Sequence, residues 1–95
     1  MNNNELLDVG FQNFIDCQKI MAIGNPNSAP IKRFVKQSKE ANRYIDLSEG
    51  KKTRSIIIQD GKSGLVAVAS YRMPRTIKLH MKHLIEGKKF DKHIK

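Results

Sequence analysis

Cations gather in two short stretches of this chain, Ser28-Ala29-Pro30-Ile31-Lys32-Arg33 and Gly50-Lys51-Lys52-Thr53-Arg54. In the first, Ser28 is a residue type that caps helices, and Pro30 falls in the first helical turn, where a missing N–H costs little. Lys32 and Arg33 then stand beside a helix start, whose unpaired N–H groups and dipole already attract an anion. In the second, Gly50 permits a positive φ and hence a sharp turn. Lys51 and Lys52 project from that turn, Arg54 from the strand after it, and Thr53 adds a hydroxyl. Side chains of this kind bind phosphate, and a projecting basic tip can follow a phosphate backbone or enter a minor groove.

The charge balance agrees. Eighteen Lys and Arg against nine Asp and Glu give a formal +9 and a pI near 9.9. Residues 28–54 hold eight cations and three anions, and residues 72–95 hold eight and two. The stretch between them is neutral, and residues 1–27 are slightly acidic. Basic blocks this dense point to a polyanion partner, nucleic acid first. The alternatives are a solvated surface, or a basic rim that meets an acidic protein or anionic lipid.

Other chemistry finds little support. The carboxylates Asp8, Asp16, Glu40, Asp46, Glu49 and Asp60 are scattered, without the paired spacing of acid–base catalysis. Cys17 is the single cysteine, in an apolar stretch far from His80, His83 and His93, so it reads as core and not as a nucleophile. His80 and His83 share a helical face, but two imidazoles make a poor zinc site. Gly61-Lys62-Ser63 lacks the spaced glycine of a phosphate loop and reads as a hairpin. No enzyme activity, metal, cofactor or small-molecule substrate is therefore expected. One cysteine excludes a disulfide framework within the chain and suits a reducing compartment. Met1-Asn2-Asn3-Asn4-Glu5 is not a secretory leader, and no run approaches a membrane span. A cytoplasmic protein is expected.

Ninety-five residues make one domain with a thin core. Residues 5–11 predict a short strand stopped by Gly10, and residues 14–24 a mostly alternating strand broken near Lys19 and Ile20. Ile31, Phe34, Val35, Ser38, Ala41 and Asn42 recur at helical spacing and predict a helix over about 29–43. Lys32, Lys36, Lys39 and Arg43 form a second stripe beside the apolar one. Tyr44 to Leu47 suits a short strand. Residues 55–59 and 65–70 are continuously apolar and predict strands covered on both faces, joined by an Asp60-Gly61 hairpin. Pro74 opens a second helix to about residue 86, with Gly87 at its C′ position and Ile77, Met81, Leu84 and Ile85 facing inward. Residues 1–86 form the domain and residues 87–95 a loose basic tail. Most of the six aromatics sit on apolar faces, which speaks for core and against a base-stacking platform.

Val9-Gly10-Phe11 with Asn13, Ile23 with Pro26, the Ser28–Arg33 string, the Gly50–Arg54 turn and Ile56-Ile57-Ile58 together resemble the RemA family. The resemblance implies a small α+β domain, LytTR-like, that assembles into a closed homo-oligomeric ring, an octamer. It implies a cytoplasmic, nucleoid-associated regulator of extracellular-matrix and biofilm genes whose basic rim bends duplex DNA. By position, the DNA contacts would be Lys19, Arg33, Lys51 and Lys52, with Arg54 and Lys32 beside them, and Pro30 would lie near a subunit contact. Lysine stands at 19, 51 and 52 where the family has arginine, which keeps the charge but loses the planar fork. Arg75 stands where an acidic residue is usual. Arg75 and a tail longer in lysine both favour stronger and less selective binding, and a nucleoid-associated or RNA-binding protein of low specificity is the alternative.

Overall fold

Ile56, Ile57 and Ile58 pair with Ala69, Val68 and Ala67, and these apolar rungs are the centre of the molecule. The computed structural model describes residues 6–94, with side chains described as far as residue 84. Six strands and two helices run in the order β1 (Leu6–Asp8), β2 (Phe14–Asp16), β3 (Ile20–Gly24), α1 (Ala29–Glu40), β4 (Tyr44–Asp46), β5 (Ser55–Gly61), β6 (Gly64–Ser70) and α2 (Pro74–Ile94). β1 and β2 form a hairpin, and the other four strands form a sheet in the order β3-β5-β6-β4. Among the described residues only the β4–β6 pairing is parallel. The small α+β domain with two helices expected from the sequence is present.

Both predicted apolar strands are central and covered on two faces. Ile57 and Val68 pack with Leu7, Val9, Ile15, Cys17 and Ile77, from the hairpin, the turn after it and α2. Ile56, Ala67 and Ala69 point the other way, toward Ile31, Phe34 and Val35 of α1. Two alanines on that face let the helix approach closely. Two thin cores on either side of one sheet replace a single thick one, and burial of each large side chain contributes about 1.5–3 kcal/mol. Cys17 is buried, as expected.

Several element boundaries differ from the sequence reading. Of the strand expected over 5–11, the described residues form strand over Leu6–Asp8, and Glu5 lies outside the described residues. The strand expected over 14–24 is two strands separated by a single 3-10 turn, Cys17–Lys19, which the Asp16 carboxylate caps by accepting the Gln18 N–H at 2.9 Å. Helix α1 stops at Glu40 instead of 43. Asn42 takes φ +58, Asn42 N–H bonds to the Lys39 carbonyl and Arg43 N–H to that of Ser38, which is a Schellman ending with asparagine in the glycine position. Helix α2 runs through Gly87 to Ile94, so the backbone of 87–94 is helical and not a loose tail. A glycine inside a helix costs only about 1 kcal/mol, too little to end it. Ile77 is buried and Met81 and Leu84 pack beside it, whereas the inward position of Ile85 lies outside the described side chains. Among the described side chains the aromatics are less buried than expected, with Phe11 44% and Phe14 54% exposed, and Phe90 lies outside them.

Candidate nucleic-acid interface

The strand pairings fix where the loops emerge. Gly24 pairs with Ile56, Ser55 with Ser70 and Asp46 with Ala69. The end of β3, the end of β4, the start of β5 and the end of β6 therefore share one edge of the sheet. Residues 25–28 lead from that edge into α1, and residues 47–54 form the connection between β4 and β5.

This connection is built as a bracket with a projecting tip. Asp46 Oδ1 accepts from Ser48 N at 2.9 Å and from Ser48 Oγ at 2.6 Å, and Ser48 is buried. Lys51 N–H closes a turn onto the Ser48 carbonyl, and Arg54 N–H anchors to the Ser70 carbonyl, both at 2.9 Å. Between these ties Gly50 has φ +82, and a Cβ there would meet nothing within 4 Å. Glycine is needed for the dihedral and not for room. Lys51, Lys52 and Arg54 are all exposed.

The Ser48 hydroxyl, then the Ser48 N–H, hold the Asp46 carboxyl below its ordinary value, with a smaller pull from Lys39 and an opposing effect of burial. A lowered carboxyl stabilises the fold above the ordinary carboxylate range, and that contribution is lost as pH falls through the lowered value. Ser48→Ala is therefore expected to move Asp46 upward toward 3.8, followed by carboxyl NMR titration. An unmoved titration would remove the hydroxyl as the cause.

Lys32 reaches the same end, since it shares the lining of a shallow recess with Pro26, Tyr44 and Thr53. Arg33 and Pro30 are exposed in the opening turns of α1. Ser28 stands at the N-cap position, as expected, but its side chain makes no capping hydrogen bond. The sheet edge thus collects Lys32, Arg33, Lys51, Lys52 and Arg54. Lys19 is exposed but lies beyond the far end of β3, five residues from Gly24, or about 16 Å by strand rise. The fold does not bring it to the tip.

Two contributors were not legible. Arg72 follows β6 at the same edge, 3.7 Å from the Asp8 carboxylate and 5.4 Å over the Tyr71 ring. The turn Gly10–Asn13 also arrives there, because Ser70 Oγ donates to the Val9 carbonyl and Asn13 Nδ2 to Glu49 Oε2. The basic block from residue 72 held the signal for Arg72. Nothing in the sequence marked Phe11 and Gln12 as left-handed residues.

Residues 6–78 match the family model described as Extracellular matrix regulatory protein A-like. The chain belongs to the RemA-like family. A relative from Bacillus cereus is 49% identical over 78 residues, covering 81% of this chain and 73% of its own length. One from Finegoldia magna is 40% identical over 77 residues, covering 81% and 89%. One from Halalkalibacterium halodurans is 33% identical over 87 residues, covering 90% and 97%. All three carry names that begin "Putative regulatory protein". The RemA-like match spans Lys19, Lys32, Arg33, Lys51, Lys52, Arg54 and Arg72 and the opening turn of α2. No helix among the described residues is long and apolar enough to cross a membrane.

Proposed function

We propose that this RemA-like protein is a transcription regulator that holds duplex DNA by its phosphates, and that copies of it close into a ring around whose rim the duplex bends. The observation that carries this reading is the gathering of Lys51, Lys52 and Arg54 on the β4–β5 connection and of Lys32 and Arg33 at the start of α1, two separate segments of chain at one sheet edge. Relatives named as regulators support the regulatory role. A spacing on the order of 16 Å between Lys19 and that edge would reach across a major groove, about 12 Å wide. Weak contacts repeated around a ring sum by multivalency and offset a bending cost of about 1–6 kcal/mol per 20–30 bp. The ring, its octameric size, the LytTR-like manner of binding and a place on the nucleoid are carried over from the family resemblance. In this reading the protein is not an enzyme, and its partners are duplex DNA and further copies of itself.

A mobility-shift titration of duplex DNA over a range of salt, together with mass by light scattering, tests both parts. Retardation that weakens steeply with salt and a mass several times 10.9 kDa are expected. Pro30→Ala is expected to shift the mass toward smaller species, given an exposed proline at the helix start. A ring of unaltered size would remove Pro30 from the subunit contact, and failure to retard any duplex at low salt would end the proposal.

A further inference from the structure

We propose that the turn Gly10–Asn13 reads bases in the duplex that the neighbouring cations hold, with Gln12 as the reading side chain and Phe11 as its apolar neighbour. This rests on the duplex-binding reading above and adds to it a source of sequence preference. Lysine and arginine contacts to phosphate position a protein but carry no sequence information of their own.

Position comes first. The turn and the basic tip share an anchor, since Ser70 Oγ donates to the Val9 carbonyl at 2.8 Å while the Ser70 carbonyl accepts from Arg54 N–H. A second tie joins Asn13 Nδ2 to Glu49 Oε2 at 3.2 Å, two residues before Lys51. A duplex resting on Lys51 and Lys52 would therefore meet the turn beside them.

The backbone supplies the second observation. Phe11 has φ +56 and Gln12 φ +62, both in the left-handed region. With Asn13 N–H bonded to the Gly10 carbonyl at 3.0 Å, the turn has the sign pattern of type I′, whose central positions favour glycine, asparagine and aspartate. Two bulky residues stand there instead, at an energetic cost. Phe11 recovers part of it by stacking on Tyr71, with ring centroids 4.7 Å apart, although it stays 44% exposed. Gln12 recovers nothing visible: it is exposed and makes no hydrogen bond among the described residues. Strained residues of this kind gather at binding sites.

The turn is also rigid. Val9 N–H bonds to the Asn13 carbonyl at 2.9 Å, and Asp8 Oδ1 accepts from Gly10 N–H at 2.8 Å. A turn whose main chain is already fixed has little backbone freedom left to lose on binding. The Gln12 amide carries one acceptor and two donors, the pair that matches N7 and N6 of adenine in the major groove. An exposed phenylalanine beside it suits the methyl group of the paired or adjacent thymine. The ligand chemistry is thus an A·T pair read from the major groove.

The test uses the full chain and a pool of duplexes, each about 40 bp with a random central segment, whose bound fraction is sequenced. Lengths of this order cover a site of 20–30 bp with flanks. The wild type is expected to enrich adenine at a fixed position. Gln12→Gly, which suits the left-handed backbone and should hold or raise the melting temperature, is expected to lower that enrichment about tenfold. Its affinity for the unselected pool should stay within about twofold, with the salt slope unchanged. Gln12→Glu is expected to move the preference toward cytosine, whose N4 amine a carboxylate accepts, a change that no structural role would produce. Unaltered adenine enrichment in Gln12→Gly, or a wild type that binds the pool without enriching any base, would overturn the inference and leave duplex binding standing. A wild type that binds no duplex would overturn the reading on which it rests.

Discussion

Replacing Lys51 and Lys52 together by alanine is expected to weaken duplex binding about 30-fold per subunit at roughly 0.15 M salt and to flatten the log K against log salt slope by about 1.8. Both figures follow from two lost phosphate contacts, each of which releases about 0.9 counterion. In a ring the loss multiplies around the rim, so retardation should disappear. The fold should be indifferent to the change. Both side chains are exposed, and the turn that carries them is fixed by main-chain bonds from Lys51 N–H to Ser48 and from Arg54 N–H to Ser70. Exposed substitutions of this kind move stability by about 0.5 kcal/mol or less. Lys62→Ala is the matched control, because Lys62 is exposed in the hairpin after β5, at the opposite end of the sheet. A double variant that binds with the wild-type slope would show that the tip does not touch phosphate.

What the sequence disclosed, and what it withheld, follows from the range of the interactions involved. The runs Ile56–Ile58 and Val66–Ala69 disclosed the two central strands, because a strand covered on both faces must be apolar at every position. The basic turn was legible because Gly50 lies next to its cations in the chain. The Schellman ending of α1 was legible in principle at Asn42, the residue type that tolerates φ > 0 after glycine. The break between β2 and β3 showed only as an interrupted alternation, and a one-residue carboxylate cap at Asp16 decided it. The approach of the β1–β2 turn to the basic tip was hidden, because it depends on Ser70 bonding to Val9 across 61 residues. So was the distance of Lys19 from the other cations, which a strand of five residues imposes and no local pattern encodes.

The same long-range tie predicts the largest loss of stability. Gly10→Ala is expected to cost about 3 kcal/mol and to lower the melting temperature by about 15 °C. Two effects combine. Gly10 has φ +115, which strains any residue with a Cβ by about 1–3 kcal/mol. The added methyl would also lie 2.2 Å from Cε1 and 2.6 Å from Cδ1 of Tyr71, so the ring must leave its place. Its departure removes the stack on Phe11, worth about 0.5–1.5 kcal/mol beyond area. Gly50→Ala separates the two effects, since Gly50 also has positive φ but its Cβ would meet nothing within 4 Å. That variant should show the dihedral cost alone, about 1 kcal/mol. If Gly10→Ala melts with Gly50→Ala, the Tyr71 ring swings aside freely and does not clamp the hairpin. If it melts far lower, the contact between Gly10 and Tyr71 is what holds the β1–β2 turn against the sheet edge. Because that turn is bonded to the segment bearing Lys51 and Lys52, Gly10→Ala should then also weaken duplex binding without removing a single cation.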